Sequence, residues 1–277
     1  MKYTRFWLGT NSIRKHGSDY TIAKKGICSI RDLYRLKTSS LTNSQLYGKE
    51  IQITDSFWHL HSLQEIFVEE VYKFKSASES PYILDCGANI GLSAIYFKHL
   101  YPRAQIIAFE PDRATYDKLR FNTTQFGYDD IKLENIAVWK EDTTLEFLVN
   151  GGLGGKLYEG GADTQGVNAR VQVEARRLRN FLNKKVDFLK IDIEGAEVEV
   201  LNDCKDQLSH VVNLFVEYHS SPAHPQQLDE LLSILKAAGF RVYIREAWNN
   251  LPYPYLRHIY NPYYDLQLNI FAYKDQQ

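Results

Sequence analysis

The chain has 277 residues, 44% hydrophobic and 24% charged, with a formal net charge of -1. That balance belongs to an ordinary globular protein, long enough for one large domain or for a domain with an appendage. It argues against a general nucleic-acid or anionic-membrane binder, which leaves a basic footprint, and no apolar run approaches the roughly 20 residues that span a bilayer.

Cys28, Cys86 and Cys204 are scattered and show no C-x-x-C spacing. This is the usage of a reducing compartment rather than of a disulfide scaffold or a zinc site. The opening "MKYTRFWLGTNSIRKHG" is basic but lacks the apolar stretch of a signal peptide, so a cytoplasmic location is expected. Aromatic residues reach 13%, with 19 Tyr; composition alone fits a ring-stacking surface and scattered half-buried rings equally well.

Residues 1–80 are polar, and one helical pattern stands out in them, "DSFWHLHSLQEIFVEEVYKF". Asp55 is its expected cap, and Trp58, Leu63, Ile66, Phe67 and Val71 recur near helical spacing. From Tyr82 strands and helices alternate. "YILDC" is a buried strand, followed by the turn "GANIG" and a helix to about Tyr101. "QIIAFE" is the next strand and "RATYDKLRFNTTQF" the next helix. "IKLENIAV", "TTLEFLV" and "VQVEA" are expected strands, the last two separated by a glycine-rich segment over 150–170. "VDFLKID" is a strand, "EVEVLNDCKDQL" a helix, "VVNLFVEYH" a strand and "PQQLDELLSILKAAG" a helix closed by Gly239. "RVYIR" and "LQLNIFAY" finish the chain. Such alternation calls for a parallel, doubly wound α/β sheet.

Ligands of open α/β sheets sit beyond the carboxyl ends of the strands, at the switch point. "LDCGANIG" lies at the first such end, where Gly87 and Gly91 let the backbone turn tightly and approach a ligand, and the following helix offers its N-terminus. Glu110, about 20 residues on, ends the second strand where an acid bonds ribose hydroxyls. The turn is not G-x-G-x-x-G, because Ala88 and Asn89 interrupt it. Its start, Asp85-x-Gly87, is more typical of S-adenosylmethionine sites than of dinucleotide sites.

"ILDCGANIGLSAIYF", "IIAFEPD", "LENIAV", "DFLKIDIEGAE" and "LFVEYH", in this order, resemble the FkbM family of methyltransferases over roughly residues 80–245. The resemblance implies a class I methyltransferase (Rossmann-like) fold: a seven-stranded sheet with an antiparallel last strand, binding S-adenosylmethionine. Residues 81–277 would be that domain and residues 1–80 a partly helical N-terminal appendage. It implies that Asp85, Gly87 and Gly91, with Ala88 and Asn89 between them, lie along the methionine and ribose, that Glu110 holds the ribose, and that Asn135 lies near the adenine. Asp192 borders the same cofactor. Members of the family typically methylate hydroxyls of sugars or other secondary metabolites.

Methylating a hydroxyl requires alignment of the acceptor and a destination for its proton. The candidates stand where the later strands end. They are Asp192 and Glu194 in "KIDIEG", and Glu217 and His219 in "VEYH", the latter two facing one side by strand alternation. His219 is the expected general base, oriented by Asp192 or Glu217. Glu194 and Glu197 have a plainer reading as acids of the helix that follows. Two carboxylates and a histidine also suit magnesium or manganese, but no metal is assigned here and the divalent ion is the minority reading. His59 and His61 are expected to be structural or solvated. "EAWNNLPYPYLRHIYNPYYDL" holds Trp248, Tyr253, Tyr255, Tyr260, Tyr263 and Tyr264 with Pro252, Pro254 and Pro262, an aromatic platform for the acceptor or a packing segment. The 150–170 segment is either a lid or a surface excursion. Residues 1–80 either shape the acceptor pocket or form a homodimer contact.

The leading expectation is an S-adenosylmethionine-dependent O-methyltransferase acting on a small-molecule or glycan acceptor, without nucleic acid or membrane. The alternatives are an NAD-linked oxidoreductase, which shares the glycine turn and ribose acid, and a catalytically silent cofactor-binding scaffold.

Overall fold

A computed structural model of the chain describes residues 18–149, 155–157, 169–259 and 263–274. From residue 18 on, the polar N-terminal stretch is more structured than its sequence suggests. Helices α1 (Ser18–Lys24) and α2 (Ile30–Thr38) precede a hairpin of β1 (Asn43–Leu46) and β2 (Lys49–Gln52). The two-residue turn Tyr47–Gly48 has φ of 50° and 78°, the left-handed pair that matches the twist of a tight hairpin. Helix α3 (Ser56–Ser62) begins on the expected cap, the Asp55 carboxylate accepting from the amides of Phe57 and Trp58. The single long helix expected here instead widens into a π-helical turn, Leu63–Val68, and is over by Glu70, whose φ is 56°. Leu63, Ile66, Phe67 and Val71 are buried as their spacing predicts, but Trp58 leaves that face and is 36% exposed.

The alternation from Tyr82 builds β3 (Tyr82–Cys86), α4 (Leu92–Leu100), β4 (Gln105–Phe109), α5 (Arg113–Gln125) and β5 (Lys132–Glu134). Next come β6 (Ala137–Trp139), β7 (Thr143–Val149), β8 (Gly155–Leu157) and β9 (Ala169–Arg177), which form a sheet of their own, ordered β6-β9-β7-β8. "IKLENIAV", expected as one strand, is therefore divided between two sheets. Within the glycine-rich segment Gly155–Leu157 pairs with β7, while 150–154 and 158–168, and with them the lid reading, lie outside the described residues. The chain then returns through β10 (Val186–Ile191), α6 (Glu197–Asp203), β11 (Val211–Ser220), α7 (Leu228–Ala237), β12 (Arg241–Trp248) and β13 (Leu266–Tyr273).

The main sheet has seven strands in the order β12-β13-β11-β10-β3-β4-β5. β13 is inserted between β11 and β12 and runs antiparallel to both, while β11, β10, β3, β4 and β5 are mutually parallel. Successive strands leave β3 in opposite directions, so the switch-point crevice opens at the carboxyl ends of β3 and β10. β10 is buried at all 6 positions, as a central parallel strand covered on both faces must be. One face packs on α6 and α7 through Val198, Leu201, Leu231 and Leu235. The other packs on α4, α5 and the N-terminal elements through Ile95, Phe97, Leu119, Ile22, Leu33 and Ile51.

Asn122, wholly buried on α5, ties these parts together. It accepts from the Gln52 amide at 2.7 Å and donates to the carbonyls of Gln52 and Ile90 at 2.9 and 2.8 Å. The described part of residues 1–80 thus shares a core with the sheet. Among the described residues no helix is long and apolar enough to cross a membrane. All three cysteines are buried free thiols.

Candidate active site

The glycine turn is folded hard against the end of β10. Gly87 has φ +81°, and a Cβ there would meet the Asp192 carbonyl oxygen at 1.8 Å, while the Asp192 amide donates back to Cys86 O at 3.1 Å. The amides of Gly87 and Ala88 both donate to Phe109 O, which ties the turn to β4 as well. Asn89, at φ 47°, donates its amide to Glu110 Oε2, and the Asp112 amide donates to Glu110 Oε1, both at 3.0 Å. Burial pushes the Glu110 carboxyl up to about 8, against the pull of those amides. Asn135 Nδ2 donates to the carbonyls of Glu110 and Pro111 at 2.8 and 3.0 Å, so its amide braces the end of β4.

Asp85 lies beneath this turn, wholly buried, and accepts from Ser93 Oγ at 2.5 Å. Its other oxygen is 3.5 Å from Lys190 Nζ, the residue opposite it in register on β10. Burial raises the Asp85 carboxyl, and Lys190 and Ser93 pull it back. Lys190 was not among the expected site residues, although a lysine inside an otherwise apolar strand is a signal that it serves a buried anion. Its ammonium donates to Gly87 O at 2.8 Å and stands 3.2 Å from Asp192 Oδ2. Burial alone would lower its pKa, but Asp192 and Asp85 outweigh burial and hold it above the ordinary lysine value.

Beyond Asp192 lies the second half of the site. His219 and Glu217 point the same way from β11, as strand alternation requires, with Nε2 3.5 Å from Glu217 Oε1. Nε2 is also 3.8 Å from Glu194 Oε2. The orienting partner is neither Asp192 nor Glu217, as expected, but Glu197, whose Oε1 is 3.0 Å from His219 Nδ1. Glu197 is 1% exposed and also accepts the amides of Ile193 and Gly195 at 3.2 and 3.0 Å, so it closes the loop before α6 and holds the ring with one carboxylate. Burial would lower the histidine pKa, yet Glu197 and Glu194 outweigh it and hold the proton well above the usual histidine range. The expected base thus sits buried among three carboxylates, those of Glu197, Glu217 and Glu194.

Glu194, at φ 59°, is held by the Tyr264 hydroxyl, which donates to its Oε2 at 2.9 Å. Its carboxyl is pushed up to about 7 by burial first, with His219 pulling down and Asp192 and Glu217 raising it. A further acid comes from the π-helical turn. Glu65 accepts from Asn269 Nδ2 at 2.7 Å and is pushed up to about 7 by burial and by Glu217. The sequence signal for it is slight, an acid beside Ile66 and Phe67 on a buried face.

Among its described residues, the expected aromatic platform meets two different parts of the molecule. Trp248 packs with Trp58 (ring centroids 5.2 Å apart) and His61 (5.4 Å) from α3, and Tyr264 lies against His219 at 4.8 Å. Tyr255 is 99% exposed, and Tyr260 and Pro262 lie outside the described residues. Of the two readings of His59, structural or solvated, the ring is buried at 3% exposure, and burial alone lowers it to about 4.

A doubly wound sheet of seven strands with an inserted antiparallel last strand, carrying a glycine turn and a buried acid at its first two strand ends, defines a class I methyltransferase-like fold. The chain belongs to the FkbM methyltransferase family, matching the Methyltransferase FkbM domain over residues 85–242. It is 30% identical over 213 residues to methyltransferase sdnD of Sordaria araneosa, a match covering 65% of this chain and 81% of that one. It is 26% identical over 228 residues to the hexuronic acid methyltransferase AglP of Haloferax volcanii, covering 78% and 90% respectively. Among solved structures, methyltransferase FkbM of Methylobacillus flagellatus aligns with a TM-score of 0.46 at 16% identity, over 78% of this chain and 53% of that one. The protein is a methyltransferase, and the oxidoreductase reading is set aside.

Proposed function

We propose that this methyltransferase uses S-adenosylmethionine to methylate a hydroxyl of a sugar, glycan or related secondary metabolite. The observation that carries the reading is the Lys190 ammonium, shared between Gly87 O at 2.8 Å and Asp192 Oδ2 at 3.2 Å. One side chain thus couples the cofactor turn to the proton-handling cluster. A hexuronic acid methyltransferase among the relatives is consistent with a sugar acceptor.

The residues fit the donor. Gly87 leaves no room for a side chain, and Gly91 starts α4 without a capping side chain over its first amides, which suits polar groups of a ligand. Glu110 closes the end of β4 where ribose hydroxyls are held in such sheets. S-adenosylmethionine supplies a methyl group already activated on sulfur. The chain's own residues then have two tasks, to align the acceptor oxygen and to take charge of its proton. Glu194 and Glu65, with carboxyls pushed up to about 7, are matched to accept a proton near neutrality. His219, held at Nδ1 by Glu197, stands beside them as the histidine of this proton transfer.

Calorimetry with S-adenosylhomocysteine and with NAD tests the donor, and transfer of labelled methyl to a panel of sugar and polyol acceptors tests the reaction. Binding of NAD without S-adenosylhomocysteine would overturn the reading.

A further inference from the structure

Asp192 and Glu194 lie in the loop after β10, and His219 lies beside it on β11. One ligand atom from each falls within 4.8 Å of the others. Ligands about 2.1 Å from a magnesium or manganese ion stand roughly 3 to 4 Å apart in an octahedron, so small side-chain rotations would close this set on an ion.

The acids alone would not mark a site; the buried ring nitrogen does. The His219 side chain is 2% exposed, with Nδ1 anchored on Glu197 at 3.0 Å. Its Nε2 faces Glu217 and Glu194 at 3.5 and 3.8 Å, distances longer than a made N–H···O bond. A histidine whose Nδ1–H is fixed by a carboxylate presents the Nε2 lone pair outward, the tautomer that metal-ligating histidines adopt. Glu197 is itself fixed by two backbone amides, and Glu194 by the Tyr264 hydroxyl, so the outer partners of such a site are in place. The Asp192 and Glu194 side chains are 25% and 32% exposed, which leaves the carboxylate side open to solvent and ligand.

We infer that Asp192, Glu194 and His219 Nε2 form a binding site for a divalent cation of the manganese or magnesium class. The imidazole beside two carboxylates tilts the choice from magnesium towards manganese, and three protein ligands leave positions for water or a substrate oxygen. The ion takes the position that a proton on Nε2 otherwise fills, and a hydroxyl bound to it becomes more acidic. That catalytic use rests on the proposed hydroxyl methylation; ion binding itself does not.

The test is titration of the chelator-treated full chain with Mn²⁺, followed by calorimetry and electron paramagnetic resonance, with S-adenosylhomocysteine binding measured on the same samples. One site is expected, with nitrogen coupling from an imidazole that disappears in His219→Gln. Asp192→Asn and Glu194→Gln should each weaken Mn²⁺ by about tenfold or more, with circular dichroism confirming that each variant is folded, and Glu199→Gln on the surface of α6 should change nothing. Absence of a Mn²⁺ site in the folded wild type, or equal affinity in the Asp192 and Glu194 variants, overturns the inference. S-adenosylhomocysteine binding without Mn²⁺ defeats the metal site and leaves the methyl-transfer reading standing; Mn²⁺ without S-adenosylhomocysteine does the reverse.

Discussion

Lys190 on β10 and Gly87, just past the end of β3, are joined at the switch point by a hydrogen bond of 2.8 Å from ammonium to carbonyl. The same ammonium faces Asp85 and Asp192 at 3.5 and 3.2 Å. Lys190→Met keeps the length of the side chain and removes the charge, leaving Asp85 buried without its cation. Breaking one partner of a buried ion pair costs about 3–5 kcal/mol. The variant is expected to lose that order of stability in urea titrations and to bind S-adenosylhomocysteine more weakly. A variant as stable as wild type would show that the ammonium is not what holds the turn.

Gly87→Ala probes the same junction from the other strand. The new Cβ would sit 1.8 Å from the Asp192 carbonyl oxygen, at a φ of +81°. The left-handed backbone alone costs on the order of 1–3 kcal/mol for a residue with a Cβ, and the contact forces the ends of β3 and β10 apart. We expect a lower melting temperature, together with loss of S-adenosylhomocysteine affinity in calorimetry. Unchanged affinity would separate this turn from the cofactor.

Much of this was legible in the sequence, because strand ends in a doubly wound sheet are marked by local signals. "LDCGANIG", Glu110, "KIDIEG" and "VEYH" each sit where an apolar run stops, and the sheet brings those stops to one edge. Glu217 and His219 share a side because strand side chains alternate. What was not legible depends on contacts between distant segments. Glu197 follows Gly195 at a helix start, and only the fold turns its carboxylate under His219, 22 residues away. Glu65 reaches the cluster because a π-helical turn and the shared core carry the N-terminal segment onto the sheet. The pairing of Trp58 with Trp248 joins α3 to β12, which no local pattern announces.

Glu65 gives the site a pH signature. Its folded carboxyl is raised from 4.5 to about 7, by burial first and then by Glu217, with Asn269 pulling down and Asp192 and Glu69 adding to the rise. The folded state thus binds this proton more tightly than the unfolded chain. The resulting stability is complete below about pH 4.5 and is lost as pH rises through about 7. Glu65→Gln keeps an oxygen for Asn269 but cannot ionise. Relative to wild type it should gain on the order of 3 kcal/mol between pH 4.5 and pH 8. Urea denaturation at the two pH values checks this; a pH-independent difference would refute the assignment.

The wall beside Glu65 is aromatic. His61 lies 3.9 Å from Glu65 and packs on both Trp58 and Trp248, so the tryptophan pair borders the acid cluster through one side chain. Trp58 is 36% exposed and Phe57, which packs on both tryptophans, 56%, leaving ring faces open to the acceptor proposed above. Trp58→Ala and Trp248→Ala should each raise the acceptor KM by about tenfold, the order of one lost ring contact. Affinity for S-adenosylhomocysteine should hold, because Gly87 and Glu110 lie beyond the ends of β3 and β4, away from the tryptophan pair. Tyr255→Ala should leave both constants at wild-type values, since that ring is 99% exposed. A KM unmoved by either tryptophan change, measured on an acceptor found in the labelled-methyl screen, would exclude this wall from acceptor binding.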